Sequence, residues 1–249
     1  MSVTVAKAFG IVEALAAETD RGLTLGDLST RVSMPKSTVH RYLATLLELG
    51  LALRSDTDRF RLGTKVIELA GGYLANNDLR KESESIMDEL SSQTNETVHL
   101  AVRSGSEVVY IAKVESKHAL RMYSYIGARL PMYSTALGKS MLAFGPEGWL
   151  RETLTRGLER RTPHTIVSPS ALKAELADIR ERGFSLDNEE NEVDVRCVGA
   201  PVLDFSRTVV AAISVSGPVD RMNERRSAEL GPVVRDAADR ISRRVGYPG

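Results

Sequence analysis

Lys36, Ser37, Thr38, His40 and Arg41 crowd five hydrogen-bonding side chains into the stretch "KSTVHR". Short hydroxyls, lysine and arginine are the groups that reach phosphate oxygens and base edges, so the chemistry they offer is recognition of a polyanion. Two other clusters invite catalysis. "ALGKS" ends like a phosphate-binding loop in Gly138, Lys139 and Ser140, but the glycine such a loop needs five residues earlier is Tyr133, which argues against nucleotide hydrolysis. Cys197, the single cysteine, could act as a nucleophile beside His40, His99, His118 or His164, and a cysteine-dependent amidase-like enzyme is the alternative reading. Nothing in the spacing brings a histidine to that thiol, so the chain is read as non-enzymatic. No paired-histidine metal motif and no dinucleotide glycine fingerprint occur, and no cofactor is expected.

The elements that must hold the donor cluster can be read from period and punctuation. Val5, Ala8, Phe9, Val12, Leu15 and Ala16 recur at helical steps and predict one apolar helix face. Thr24 followed by Asp27 reads as a capping box opening a second helix, with Leu25, Leu28 and Val32 turned inward. Pro35 suits the first turn of a third helix, whose buried stripe is Val39, Leu43, Leu46 and Leu47 and whose end is Gly50. "LALRSDTDRFRLG" then alternates at Leu51 and Leu53 and again at Phe60 and Leu62, around a turn-forming "SDTD". That predicts a small hairpin carrying Arg54, Arg59 and Arg61. Three helices and a hairpin make a winged helix-turn-helix. From Ser33 to Arg61 five Lys and Arg face three Asp and Glu, so the local balance is mildly basic.

The whole chain gives no such bias. Its 249 residues hold 33 Lys and Arg against 33 Asp and Glu, so a nucleic-acid partner must be met by a local patch. The length accommodates two domains. One cysteine forbids an intrachain disulfide, no uncharged apolar run is long enough to span a membrane, and "MSVTVAKAFG" has no signal core, so a cytoplasmic protein is expected. Residues 63–94 read as helix, with a bend or break at Gly71 and Gly72, and the apolar positions of 66–74 favour pairing with a second copy. After Asn95 the period changes. "TVHLAVRSGSEVVYIAKVES" reads as two strands around a Ser-Gly-Ser turn, "LRMYSYIGARLPMY" as a third, and "RCVGAPVLDFSRTVVAAISVSGP" as a buried hairpin. Four helical segments interleave, the last running from about Leu230 to Val245. An antiparallel sheet packed with helices makes this an α+β domain.

Taken together, "MPKSTVHRYLATLLELGLALR" with "RFRLG", then "GARLPMYSTALGKSMLA", "ERGFSLDNEENEVDVRCVGAPVLD" and "VVAAISVSGP", resemble the IclR family of bacterial transcriptional regulators over both halves of the chain. The resemblance implies a winged helix-turn-helix over residues 1–63, a linker helix over 64–78 and a GAF-like effector-binding domain over 79–249. It also implies a homodimer or a homotetramer built as a dimer of dimers. The partners it implies are a double-stranded DNA operator and a small organic acid, with the protein acting as a local repressor. Carried over by position, the effector contacts are Met122, Ala136, Leu137, Asp187, Cys197, Ser214 and Ser216. Some members carry glycine and alanine where this chain has Ala136 and Leu137, and the added bulk points to a different acid, aromatic or amide-bearing ones included. Amides at a helix N-terminus near Ala136 would suit an anion, and Ser214 and Ser216, two apart on a strand, share a face.

Overall fold

Ile11 and Leu15, one turn apart on α1 (Val3–Ala16), are the residues this helix buries, and they pack with Leu28, Val39, Leu43, Leu46 and Phe60. The wider face expected from the sequence is corrected here, because Val5 and Phe9 are 56% and 61% exposed. A three-helix unit of this size has inner surface for one stripe of α1, and the second apolar stripe is left facing outward. The structure is a computed structural model that describes residues 3–18, 21–75, 78–118 and 124–249. The chain divides into two compact units, Met1–Asn76 and Asn77–Gly249.

In the first unit α2 (Leu25–Arg31) starts at the capping box: Thr24 Oγ1 accepts from the Asp27 amide at 3.2 Å while the Thr24 amide donates to the Asp27 carboxylate at 2.9 Å. Pro35 is the N-cap of α3 (Lys36–Glu48), one residue earlier than expected, and Gly50 closes that helix with φ of +69°, a conformation L side chains avoid. The wing pairs β1 (Ala52–Arg54) with β2 (Phe60–Leu62), and Phe60 exchanges both backbone hydrogen bonds with Leu23. Here the phase of the sequence alternation was off by one: Ala52 is buried and Leu53 is 51% exposed, because Leu53 pairs with Arg61 on the outer side of the ribbon. Helix α4 (Lys65–Ala75) runs through Gly71 and Gly72 without interruption, so the glycines do not break it. Two glycines weaken a helix without breaking its hydrogen-bond ladder.

The second unit opens with α5 (Asp78–Thr94), which buries Ser83, Ile86, Met87 and Leu90. It continues through β3 (Thr97–Ser104), β4 (Glu107–Val114), β5 (Arg129–Pro131), α6 (Ala136–Phe144), α7 (Glu147–Arg156), α8 (Pro169–Arg182), β6 (Ser185–Asn188), β7 (Val195–Leu203), β8 (Val209–Pro218) and α9 (Glu224–Arg244). The strands form one antiparallel sheet in the order β5-β4-β3-β8-β7-β6. Its third expected strand occupies only Arg129–Pro131 of the stretch read for it, part of which lies outside the described residues. Strand β6, four residues with polar ends, was not anticipated. Alternation sorts the sheet into two faces. Val98, Leu100, Val198, Ala200, Ile213 and Val215 meet α5 and α9, whereas Ala101, Val108, Tyr110 and Ala212 meet α6 and α8.

Candidate nucleic-acid interface and ligand cavity

On α3 the side chains of Lys36, Ser37, His40 and Arg41 are exposed and Thr38 is half-buried. Ser37, His40 and Arg41 stand three and four residues apart, which puts them on one helix face opposite Val39 and Leu43. No side chain caps this N-terminus, so its first-turn amides and the positive end of the helix stay open to an anion. The wing arginines divide. Arg54 is exposed and pairs with Asp58 at 2.7 Å, whereas the Arg59 guanidinium donates to the Gly22 carbonyl at 2.9 Å. Arg59 therefore ties the wing to the loop before α2. Arg61 is exposed on β2.

In the second unit the α6 side of the sheet carries a polar patch set by register. Asp187, Cys197 and Ser216 are directly opposed across β6, β7 and β8, and Gly199, Ser214 and His99 form the next row across β7, β8 and β3. Gly199 lets α6 sit on this patch, because a Cβ there would meet the Ala136 carbonyl carbon at 2.9 Å. Ser185 anchors the same helix through hydrogen bonds to the Ala136 carbonyl at 2.6 Å and to Ser140 at 2.7 Å. Between patch and helix lies a cavity of about 260 Å³. Ala136, Leu137, Asp187, Cys197, Ser214 and Ser216 all line it, while Met122 lies outside the described residues. Thr135 Oγ1 caps α6 by accepting from the Gly138 amide at 3.1 Å, and the preceding amides of Ala136 and Leu137 belong to the turn that the helix ladder cannot serve.

Tyr110, Ser124, Arg129, Arg161 and Asn191 also line the cavity, and the sequence reading did not single them out. Arg129 is held by Glu107 at 2.9 Å and by the Ser104 hydroxyl at 3.0 Å, and Arg161 donates to the Asn191 carbonyl at 3.2 Å. Arg129 and Asn191 stand inside the quoted motifs and Tyr110 and Ser124 inside stretches read as strands, but that their side chains converge with Arg161 on one cavity is a matter of tertiary packing.

The electrostatics of the wall follow from enclosure. Burial pushes the Asp187 carboxyl up to about 7; the nearby Glu190 charge adds to the push, while Lys139 and the Glu190 and Asn191 amides pull the other way. Those amides reach Asp187 Oδ1 at 2.8 and 3.3 Å, so Asp187 both caps a turn and faces the cavity. Burial likewise raises the Cys197 thiol well above its ordinary range, so it is not a thiolate nucleophile at neutral pH. The structure does bring a histidine within one hydroxyl of it, since Ser216 bonds the thiol and lies 3.5 Å from His99 Nδ1. His99 is neutral: burial, with the Lys113 charge beside it, lowers it to about 3. His40, His118 and His164 are exposed. Lys139 of "ALGKS" is fully buried against Glu190 and lies 3.6 Å from Glu175, which leaves it no reach to a phosphate. Among the described residues no His, Cys, Asp and Glu cluster could hold a metal ion, and no helix is long and apolar enough to cross a membrane.

A winged helix with a donor-lined helix tip, carried on one chain with an α+β unit that holds a small cavity, defines a DNA-binding regulator with a ligand-binding domain. Family models agree: "IclR helix-turn-helix domain" matches residues 4–56 and "Bacterial transcriptional regulator IclR C-terminal" matches 71–243. The chain belongs to the IclR family of bacterial transcriptional regulators. It is 42% identical to the HTH-type transcriptional regulator KdgR of Escherichia coli K12 over 247 residues, covering 98% of this chain and 93% of the relative. The crystal structure of Thermotoga maritima IclR superposes with a TM-score of 0.80 at 37% identity, covering 98% and 99% of the two chains. An IclR homologue from Microbacterium hydrocarbonoxydans, solved in complex with 4-hydroxybenzoate, superposes with a TM-score of 0.83 at 26% identity, covering 97% and 98%.

Proposed function

We propose that this protein is a local repressor, a cytoplasmic homodimer or dimer of dimers, whose affinity for an operator is set by a small organic acid. Residues 1–63 read the DNA, 64–78 link, and 79–249 sense the acid. In this reading Ser37, His40 and Arg41 enter the major groove on α3, Lys36 and Thr38 steady the helix tip on phosphate, and Arg54 and Arg61 follow the backbone from the wing. Arg59 acts indirectly by holding the wing in place. The acid's carboxylate meets the Ala136 and Leu137 amides, and its polar remainder meets Asp187, Cys197, Ser214 and Ser216. The observation that carries the reading is the juxtaposition of those four polar side chains with the first-turn amides of α6 along one cavity. An acid shifts DNA affinity only as far as it binds the DNA-competent and incompetent arrangements unequally. The Microbacterium homologue's aromatic acid makes hydroxybenzoates sensible first probes.

The test is fluorescence anisotropy with duplex DNA from the region upstream of the protein's own gene. Specific binding at about 10⁻⁸ M or tighter, weakening as salt rises, is the expected result. Titrating organic acids into the complex should release the DNA. No binding at low salt to any upstream fragment, with or without acids, would falsify the reading.

A further inference from the structure

His99 lies outside the cavity yet touches two of the hydroxyls that line it. Its Nε2 is 2.8 Å from Ser124 Oγ and its Nδ1 is 3.5 Å from Ser216 Oγ. The ring is fully enclosed on β3, stacked on Tyr110 with centroids 4.5 Å apart, and opposed to Lys113 across the β3–β4 pair. Lys113 in turn donates to the Ser124 carbonyl at 2.7 Å, so Ser124 is held at both its backbone and its side chain.

A neutral imidazole has one N–H and one bare nitrogen. If the proton sits on Nε2, the ring donates to Ser124, whose own hydroxyl proton is then free to point into the cavity. Nδ1 meanwhile takes the Ser216 proton, and Ser216 offers the cavity only lone pairs. Moving the proton to Nδ1 makes Ser124 the acceptor and releases the Ser216 proton to the cavity or to the Cys197 thiol. In neither tautomer do both hydroxyls donate to the cavity, and with the proton on Nε2 Ser124 is the donor while Ser216, bonded to His99 and to the Cys197 thiol, is the acceptor.

We propose that His99 is a positioning residue for ligand selection, making Ser124 and Ser216 a matched donor and acceptor pair that favours a ligand carrying a hydroxyl besides its carboxylate. The proposal rests on the organic-acid reading above. A hydroxy acid can satisfy both serines, because its hydroxyl donates to one while an oxygen accepts from the other. Its deoxy counterpart leaves the buried acceptor serine unpaired, which costs about tenfold or more in affinity. Without His99 each hydroxyl rotates to suit any ligand and the preference fades.

Calorimetric titration of the full chain with 4-hydroxybenzoate against benzoate, and with glycerate against propionate, tests this in wild type, His99→Phe and His99→Gln. Wild type should prefer the hydroxy member of a pair by about tenfold, His99→Phe should reduce that preference to under about threefold, and His99→Gln, whose amide again has one donating and one accepting end, should restore it. An unchanged preference in His99→Phe overturns the role of His99 and leaves the organic-acid reading standing. Failure of wild type to bind any of the four acids overturns that reading, and this proposal with it. An independent readout is the ¹⁵N spectrum of the His99 imidazole. One neutral form from about pH 5 to 8, perturbed by both Ser124→Ala and Ser216→Ala, supports the linkage. A ring that titrates in that range, or that ignores both variants, overturns it.

Discussion

Asp187 is a carboxyl held near neutrality inside the cavity that is proposed to receive an acid, and this makes ligand affinity depend on pH. The groups facing it are Glu190, which raises its pKa, and Lys139 with two backbone amides, which lower it. An organic acid is ionised throughout this range, so it binds best when Asp187 is protonated. Affinity should fall as pH rises through about 7, by up to about tenfold per pH unit above it. Asp187→Asn should bind with nearly constant affinity from about pH 6 to 8, measured by calorimetry. Stability carries the same sign: the folded-state pKa is raised, so the contribution is present below the unfolded value of 3.8 and is lost as pH rises through about 7. On the DNA-binding unit, Arg41→Ala should cost about 1–3 kcal/mol of operator affinity by anisotropy, because Arg41 is exposed on the helix face that carries Ser37 and His40. At this scale the site was partly legible. Six cavity positions followed from the motif resemblance, but His99 and Ser124 did not, since their partnership joins residues 25 apart in sequence through a fold the sequence does not display.

The element that organises the cavity is α6, and it is fastened from beneath by a buried charge. Lys139 is fully enclosed, and its ammonium sits on Glu190 in the segment between β6 and β7 that also supplies Asn191 to the wall, just after Asp187 at the end of β6. Glu190 Oε2 has no hydrogen-bond partner among the described residues, and Oε1 takes the lysine together with a long contact from the Asn188 amide at 3.5 Å. Removing one member of a buried pair strands the other charge, and Lys139→Ala should destabilise the protein by about 3–5 kcal/mol in urea unfolding. Lys139→Met combined with Glu190→Leu should recover most of that loss, since apolar replacements of similar volume for a buried pair are often neutral or better. If the single and double variants unfold at the same urea concentration, the pair is not what fastens α6. Helices elsewhere in the chain were readable from their period, and α2 also from its start signal at Thr24 with Asp27. Strand β6 had neither. "SLDN" is too short for alternation to register, and it is a strand because β7 offers it a free edge. The misplaced phase at Leu53 has the same origin, since in a three-residue strand the apolar residue facing water weighs as much as the one facing the core.

For the whole molecule the unsettled apolar surface of the first unit is the feature with the widest consequence. Val5 and Phe9 stand one turn apart on α1, and Ile67 and Leu69 on α4 are 73% and 60% exposed. None of the four belongs to that unit's core. In the proposed dimer a second copy of the chain would cover them, and pairing two donor tips is what lets a small reading head recognise a repeated half-site with useful affinity. Phe9→Glu places a charge where such a contact would be dry. Because Phe9 is already 61% exposed, the unit's own fold should tolerate the change, with a melting temperature close to wild type. Loss of a buried phenylalanine contact is worth about 1.5–3 kcal/mol per copy, so the dimer should weaken by an order of magnitude or more in sedimentation equilibrium. Binding to a two-half-site operator should weaken in step, while binding to a single half-site, which needs only one α3, should stay as it was. If Phe9→Glu leaves the sedimentation profile unchanged, α1 is not part of the surface on which two copies meet.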